Sequence, residues 1–279
     1  MHLALTIVSV KIITMSLIDA IVLGLVQGIT EFVPISSSGH LVITSHLLGV
    51  ASAFTFDVLL NFGTLLALMI FYKNRIWSII KRTLRGKEWS LLTKIIIATI
   101  PAVVFGMLFK DQIQKLNEMI WVVIVMLIVI GIPMILVGKA NKYADNREIE
   151  KSVGWKSTLK IGVAQALALI PGTSRSGITI LTGLRSNLSA AKAAEFSFLL
   201  AIPIITGATL KTLLSDGGVA FVKDNFAALA IGNIVSFVAG ILAVSFLIKF
   251  LSKRGLKDFG WYRIGLAAIL IIFSLAGII

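Results

Sequence analysis

Gly24-Leu25-Val26-Gln27, followed by Ser36-Ser37-Ser38-Gly39, returns 138 residues later as Gly162-Val163-Ala164-Gln165, followed by Ser174-Arg175-Ser176-Gly177. The glycine, the glutamine, the two outer serines and the closing glycine all keep that offset, which is close to half of the 279 residues. An offset of this size points to an internal duplication, a common plan of membrane proteins. Around these polar knots the chain is mostly hydrocarbon: 57% hydrophobic and 14% charged, with a mean hydropathy of +0.99. Polar, hydrogen-bonding segments are costly in such a setting unless they face protein or water. They are therefore the candidate site.

Long uncharged runs occupy residues 119–138, 226–248 and 264–279. Roughly 20 apolar residues span a bilayer core, so each is a transmembrane helix candidate. The expected class is an all-α polytopic membrane protein. It forms one integral membrane domain over 1–279, with repeat one at about 16–138 and repeat two at about 154–276. The absence of cysteine excludes disulfides, thiol catalysis and cysteine-ligated metal. Three histidines, at positions 2, 40 and 46, are too few for a histidine-rich metal site. The net charge of +13 is that of cytoplasmic loops rich in Lys and Arg, so no nucleic acid partner is expected. Residues 1–10 are apolar but lack the basic start and cleavage site of a signal peptide, and are expected to be retained.

Loop 73–94 carries seven bases against Glu88, while its counterpart 211–224 is balanced. The next pair reverses this, because 110–118 is balanced and 249–263 is basic. The positive-inside rule puts 73–94, 139–160 and 249–263 in the cytoplasm, and 110–118 and 211–224 outside. Six crossings follow, at about 54–72, 91–109, 119–138, 194–210, 226–248 and 260–279, with equivalent spans running in opposite directions. Segments 17–50 and 158–190 must then each enter and leave on one side. Pro34 and Pro171-Gly172 interrupt them near the middle. They are predicted to be two re-entrant helix hairpins that meet inside the bilayer in an inverted-topology repeat.

Each tip ends in a Ser-x-Ser-Gly run before a new apolar helix, expected over 41–48 and 178–184. Serine favours the N-cap, and two converging helix N-termini make an anion site. Ser36, Ser38, Gly39, Thr173, Ser174, Ser176 and Gly177 are the candidate phosphate cradle, with Gln27 and Gln165 beside it. Arg175 offers a planar fork to phosphate oxygens, the plainer alternative being a snorkelling or ion-paired arginine. Glu31, an intramembrane carboxylate, is a candidate ligand for Mg or Ca, or else a structural partner of Arg175. Gln27 lies one helical turn before it, as a ligand or water-orienting group, or in a hydrogen bond across the repeat to Gln165. His40 follows Ser37 by three residues, within reach of a nucleophile–base arrangement. His46 has no polar neighbour and is expected at the interface. Asp57 and Glu195 occupy equivalent helix starts and are expected to cap or support, with a site role open for Glu195. Asn61 is a weaker candidate of the same kind.

Glu31-Phe32-Val33-Pro34-Ile35-Ser36-Ser37-Ser38-Gly39-His40 and Pro171-Gly172-Thr173-Ser174-Arg175-Ser176-Gly177 resemble the two signature segments of the undecaprenyl-diphosphate phosphatases, the bacitracin-resistance phosphatases of bacteria. The stretch from Ala194 to Pro203 is also similar to that family. The resemblance covers the chain from about residue 17 onward. It implies hydrolysis of the terminal phosphate of undecaprenyl diphosphate, giving the lipid carrier used in cell-wall assembly. It also implies a divalent cation, Mg or Ca, and an active site open to the outer side of the bacterial plasma membrane. Its acidic positions map to Gln27 and Glu31, its serine to Ser37, its histidine to His40 and its arginine to Arg175. Gln27 is a departure, since many members carry glutamate there, so a two-carboxylate metal site at these positions is excluded. The implied partners are the polyprenyl diphosphate lipid and membrane lipids, with a homodimer open. Inverted repeats with broken helices also suit a transporter or flippase of polyprenyl phosphate lipids, which is the alternative.

Overall fold

A computed structural model describes residues 15–50, 54–86, 90–117, 119–137 and 148–278. The expectation for residues 1–10, the charges Lys87, Glu88 and Glu118, and most of the first half of loop 139–160 lie outside the described residues. The described residues form helices and no strand. In chain order these are α1 (Leu17–Thr30), α2 (Ser37–Leu48), α3 (Phe54–Phe71), α4 (Lys73–Leu84), α5 (Ser90–Leu108), α6 (Lys110–Asn117) and α7 (Ile120–Val137). They continue with α8 (Ile149–Ser152), α9 (Trp155–Leu167), α10 (Arg175–Arg185), α11 (Ala190–Leu213), α12 (Gly218–Asp224), α13 (Phe226–Arg254) and α14 (Lys257–Leu275). Six of them, α3, α5, α7, α11, α13 and α14, are long and apolar enough to cross a membrane, within a few residues of the spans expected from hydropathy. Ile100, Val129, Leu242 and Ile272 are exposed on these helices, an apolar surface of the kind that lipid covers. The protein is a multi-pass, all-α membrane protein.

Helices equivalent by the repeat run antiparallel. On α7 and α14, Gly131 meets Gly260, whereas Leu127 receives the side chain of Arg263; residue numbers rise on one helix as they fall on the other. On α3 and α11, Tyr72 lies by the ring of Phe198, while Leu59 and Leu213 line one cavity at the other end. The duplication is therefore inverted.

The two shorter pairs, α1–α2 and α9–α10, are the hairpins, and each docks its first arm on the opposite repeat. Helix α1 packs along α13, and α9 packs along α5. The repeated glycines of the Gly-x-x-Gln segments permit this. A Cβ on Gly24 would collide with the carbonyl of Gly232, and one on Gly162 would lie 2.8 Å from the carbonyl of Ala98. Small residues at such crossings let backbones approach closely, which matters in a bilayer where dispersion contacts hold helices together. Phe32, fully buried at the first tip, meets Phe198 of the second repeat edge-on, with centroids 5.5 Å apart.

The far end of the bundle is tied by charge. Arg75 on α4 holds Glu150 at 2.7 Å and Glu195 at 2.9 Å, and Lys94 donates to the backbone carbonyl of Glu150 at 2.7 Å. Burial by itself would raise the Glu150 carboxyl. Its own backbone N–H and the guanidinium groups of Arg75 and Arg82 outweigh that and hold it below the ordinary range. A lowered carboxyl stabilises the fold above its unfolded pKa, about 4.3, and loses that contribution as pH falls through the folded value. The thermal midpoint in detergent is therefore expected to hold near neutrality and drop below about pH 4. Glu150→Gln should melt lower at pH 7 and show a flatter acid limb; an unchanged limb would remove Glu150 from this role.

Candidate active site

The two hairpin tips meet, and the helices beyond them start earlier than expected. Helices α2 and α10 begin at Ser37 and Arg175, not at 41 and 178, because the serine run supplies the cap and the first turn together. Ser36 accepts from the N–H of Gly39 at 3.3 Å, and Ser174 from that of Gly177 at 3.1 Å. Both capping serines sit at positive φ, 77° and 69°, a conformation costing a non-glycine residue about 1–3 kcal/mol. The same unusual turn at equivalent positions puts Ser37 and Arg175 at the first position of their helices. The repeat thus delivers two different reactive side chains to one place.

Glu31 joins them. Its Oε1 accepts from Arg175 Nη2 at 2.6 Å, and its Oε2 accepts from the Ser37 hydroxyl at 2.7 Å and from Gln27 Nε2 at 3.0 Å. Gln27 Nε2 also donates to Asn61 Oδ1 at 2.8 Å, and the alternative bond from Gln27 to Gln165 is not formed. Gln165 instead reaches the Ala98 carbonyl at 3.5 Å. Three buried polar atoms of this group have no hydrogen-bond partner among the described residues: Arg175 Nη1, Gln27 Oε1 and Gln165 Oε1. Two of these residues, Arg175 with an unmet donor and Gln165 with an unmet acceptor, line a cavity of about 290 Å³ together with Glu31, Ser37, Ser38 and Ser174. Unmet groups of this kind in a protein interior point to a ligand.

The pairing of His40 with Ser37 expected from their spacing is not what the fold makes. His40 Nδ1 lies 2.7 Å from the Ser36 carbonyl, and Nε2 lies 2.7 Å from the Tyr262 hydroxyl. A carbonyl only accepts, so Nδ1 carries a proton, and Nε2 shares a hydrogen bond with the tyrosine hydroxyl. Both ring nitrogens are engaged, one by the tip's own Ser36 carbonyl and the other by Tyr262 of α14, and the group that receives the Ser37 hydroxyl is Glu31. Three residues apart on a helix allows contact, but the rotamer follows the stronger partners. Tyr262 was not legible as a contributor from the sequence.

Several cradle candidates build the tips and do not line the cavity. Thr173 is fully buried and donates to the Leu167 carbonyl at 3.2 Å, and buried Ser176 donates to the Val33 carbonyl at 3.4 Å. Ser36 is spent on its cap. Gly39 and Gly177 are pressed against Val123 and Met134, where a Cβ would come within 3.2 Å and 2.7 Å. Their work is backbone geometry. Asn61 lines the cavity, whereas Glu195 belongs to the Arg75 cluster at the other end and has no contact with the site. Asp57 supports Asn61 through its carbonyl at 3.0 Å, and His46 is exposed.

Among the described residues no group of three or more His, Cys, Asp or Glu is placed to hold a metal. Glu31 and Gln165 on the cavity wall, with the amide oxygen of Gln27 behind Glu31, offer only oxygen donors, the kind a hard cation such as Mg or Ca takes.

The family described as Bacitracin resistance protein BacA matches residues 20–269, nearly all of the described structure. The chain belongs to this family. An undecaprenyl-diphosphatase from Porphyromonas gingivalis is 39% identical over 280 residues, covering 95% of this chain and 99% of its own length. One from Psychrobacter arcticus is 38% identical over 270 residues, covering 94% and 96%. This BacA-family chain thus spans essentially the full length of those relatives.

Proposed function

We propose that this chain hydrolyses undecaprenyl diphosphate to undecaprenyl phosphate and inorganic phosphate, recycling the lipid carrier of cell-wall synthesis. The observation that carries this is the unmet half of the Arg175 fork, buried beside a serine hydroxyl already hydrogen-bonded to a carboxylate. A terminal phosphate satisfies that donor and brings its phosphorus toward Ser37. The name of the relatives supports hydrolysis over passage of the intact lipid.

In the proposed reaction Ser37 Oγ attacks the terminal phosphorus as its proton passes to Glu31 Oε2. The P–O bond to the bridging oxygen breaks and undecaprenyl phosphate leaves. Water then attacks the phosphoserine, freeing phosphate and restoring serine. Arg175 and the N-termini of α2 and α10 stabilise charge on the equatorial oxygens, where most catalysis of phosphoryl transfer lies. Glu31, Gln27 and Gln165 would hold Mg or Ca against the diphosphate, and such a cation supplies further charge neutralisation. His40 acts on the tip: its bond to the Ser36 carbonyl fixes the turn from which Ser37 projects. Apart from Asn61, the rest of the cavity wall is apolar, with Phe54, Val58, Ile113 and Ile204, suited to the first prenyl units.

Phe54 opens α3 and Ile113 lies in α6, both at the end of the bundle away from the basic segments 73–84 and 249–254. With those segments cytoplasmic, the site faces the outer side of the bacterial plasma membrane. The test uses undecaprenyl diphosphate labelled in its terminal phosphate, purified chain, and Mg or Ca. Labelled phosphate should be released, and acid quenching should trap label on Ser37 that Ser37→Ala loses. No release would refute the function. Label surviving Ser37→Ala would exclude Ser37 and leave direct attack by water.

A further inference from the structure

Arg263 is a lone arginine within the apolar span α14, and none of its surface is exposed. Among the described residues no carboxylate pairs with it; its guanidinium donates to four backbone carbonyls. Nη2 reaches Gly172 at 2.8 Å and Met126 at 3.0 Å, Nε reaches Leu127 at 3.3 Å, and Nη1 reaches Pro34 at 3.5 Å. Pro34 belongs to the first hairpin tip and Gly172 to the second, while Met126 and Leu127 lie on α7. One fork therefore bolts both broken segments to the pair of spans behind them.

Three features single this out. A charge buried in a membrane protein without a counter-ion is expensive, and a methionine would fill the space at no such cost. The equivalent position of the first repeat is Val125, so the arginine breaks the repeat to serve both tips at once. Each of the two anchored tip carbonyls lies three residues from a reacting group: Pro34 stands midway between Glu31 and Ser37, and Gly172 precedes Arg175 by three. Gly172 is further fixed at φ +86°, where a Cβ would meet the backbone of Val123 at 2.6 Å. The tip cannot slide along α7 without losing that seat.

We propose that Arg263 is a positioning residue for phosphoryl transfer, setting the tip-to-tip register that brings Arg175 to Glu31 and Ser37. This rests on the reaction proposed above. It touches no substrate, so its removal should lower turnover and leave binding nearly intact. A lysine keeps the charge but cannot span carbonyls from three elements.

The chain has no cysteine, so spin labels can be placed uniquely on Leu47→Cys of α2 and Asn187→Cys just beyond α10, both exposed. A rigid helix carries a displacement of its tip to these ends. In this background Arg263→Lys and Arg263→Met are compared with Arg263 for kcat, KM, thermal midpoint in detergent and label-to-label distance. Arg263→Lys is expected to keep its midpoint within a few degrees and its KM within about threefold, while kcat falls about 100-fold, as misplacement by about 1 Å does. Its distance distribution should broaden. Arg263→Met should show the same pattern, larger. A folded Arg263→Lys protein with near-normal kcat would overturn the proposal, as would lost turnover with an unchanged distance. Loss of folded protein in both variants would make Arg263 a folding residue and overturn it too. Should the unmodified chain release no phosphate, the reaction falls, and the distance measurement alone still decides whether Arg263 holds the tips.

Discussion

Arg175→Ala is expected to lower kcat/KM for undecaprenyl diphosphate by about 10³–10⁴-fold, the range of an arginine that stabilises phosphoryl transfer. Two effects combine. The variant loses the donors aimed at the terminal phosphate, including Nη1, which has no partner among the described residues. It also strands Glu31, whose side chain is 11% exposed and whose Oε1 has Arg175 as its cation at 2.6 Å. Breaking a buried pair from one side destabilises by about 3–5 kcal/mol, so the melting temperature in detergent should fall together with activity. Arg175→Lys separates the two effects. It restores a cation for Glu31 and hence most of the stability, but not the fork, so activity should stay about 100-fold down. Full activity in Arg175→Lys would show that only charge matters and would remove the bidentate contact from the mechanism.

Glu31→Gln should lower kcat by about 10²–10⁴-fold, the contribution typical of a general base, at almost unchanged volume. The amide oxygen can still accept the Ser37 hydroxyl in the ground state, but it cannot take the proton. The variant should therefore bind substrate and fail to turn it over. A second signature follows from the ion pair. With the carboxylate gone, Arg175 Nη2 is released from its 2.6 Å contact and one negative charge leaves the cavity. Inorganic phosphate should then inhibit the residual activity at a lower concentration than in the unaltered chain. Weaker phosphate binding in Glu31→Gln would mean that a cation held by Glu31 dominates anion affinity. The proton route is tested beside it. If His40→Ala abolishes labelling of Ser37 and Glu31→Gln leaves it intact, Glu31 is not the acceptor, whatever its distance to the hydroxyl.

Much of this protein was legible from the chain alone, for a physical reason. Each span must satisfy its own backbone hydrogen bonds inside lipid, so its extent is written in its own hydropathy, and α3, α5, α7, α11, α13 and α14 stand where apolar runs predict them. Loop charge predicts that equivalent spans run in opposite directions, as α7 and α14 do, and the duplication with Pro34 and Pro171 predicts both broken hairpins. Glu31 and Arg175 were recognisable because ionisable groups are rare among hydrocarbon. What each side chain does there was decided by tertiary structure. The Glu31–Arg175 contact spans 144 residues and the His40–Tyr262 contact 222, and such pairings depend on how helices rotate and cross. Spacing alone offered His40 to Ser37, yet the packing of α14 drew the imidazole toward Tyr262 and left the serine to Glu31. Thr173 and Ser176, which look like phosphate ligands in one dimension, turn inward because the tip carbonyls need donors. Arg263 could have been flagged as a lone charge in an apolar span. Its bond to two tips at once exists only after the repeats have interlocked.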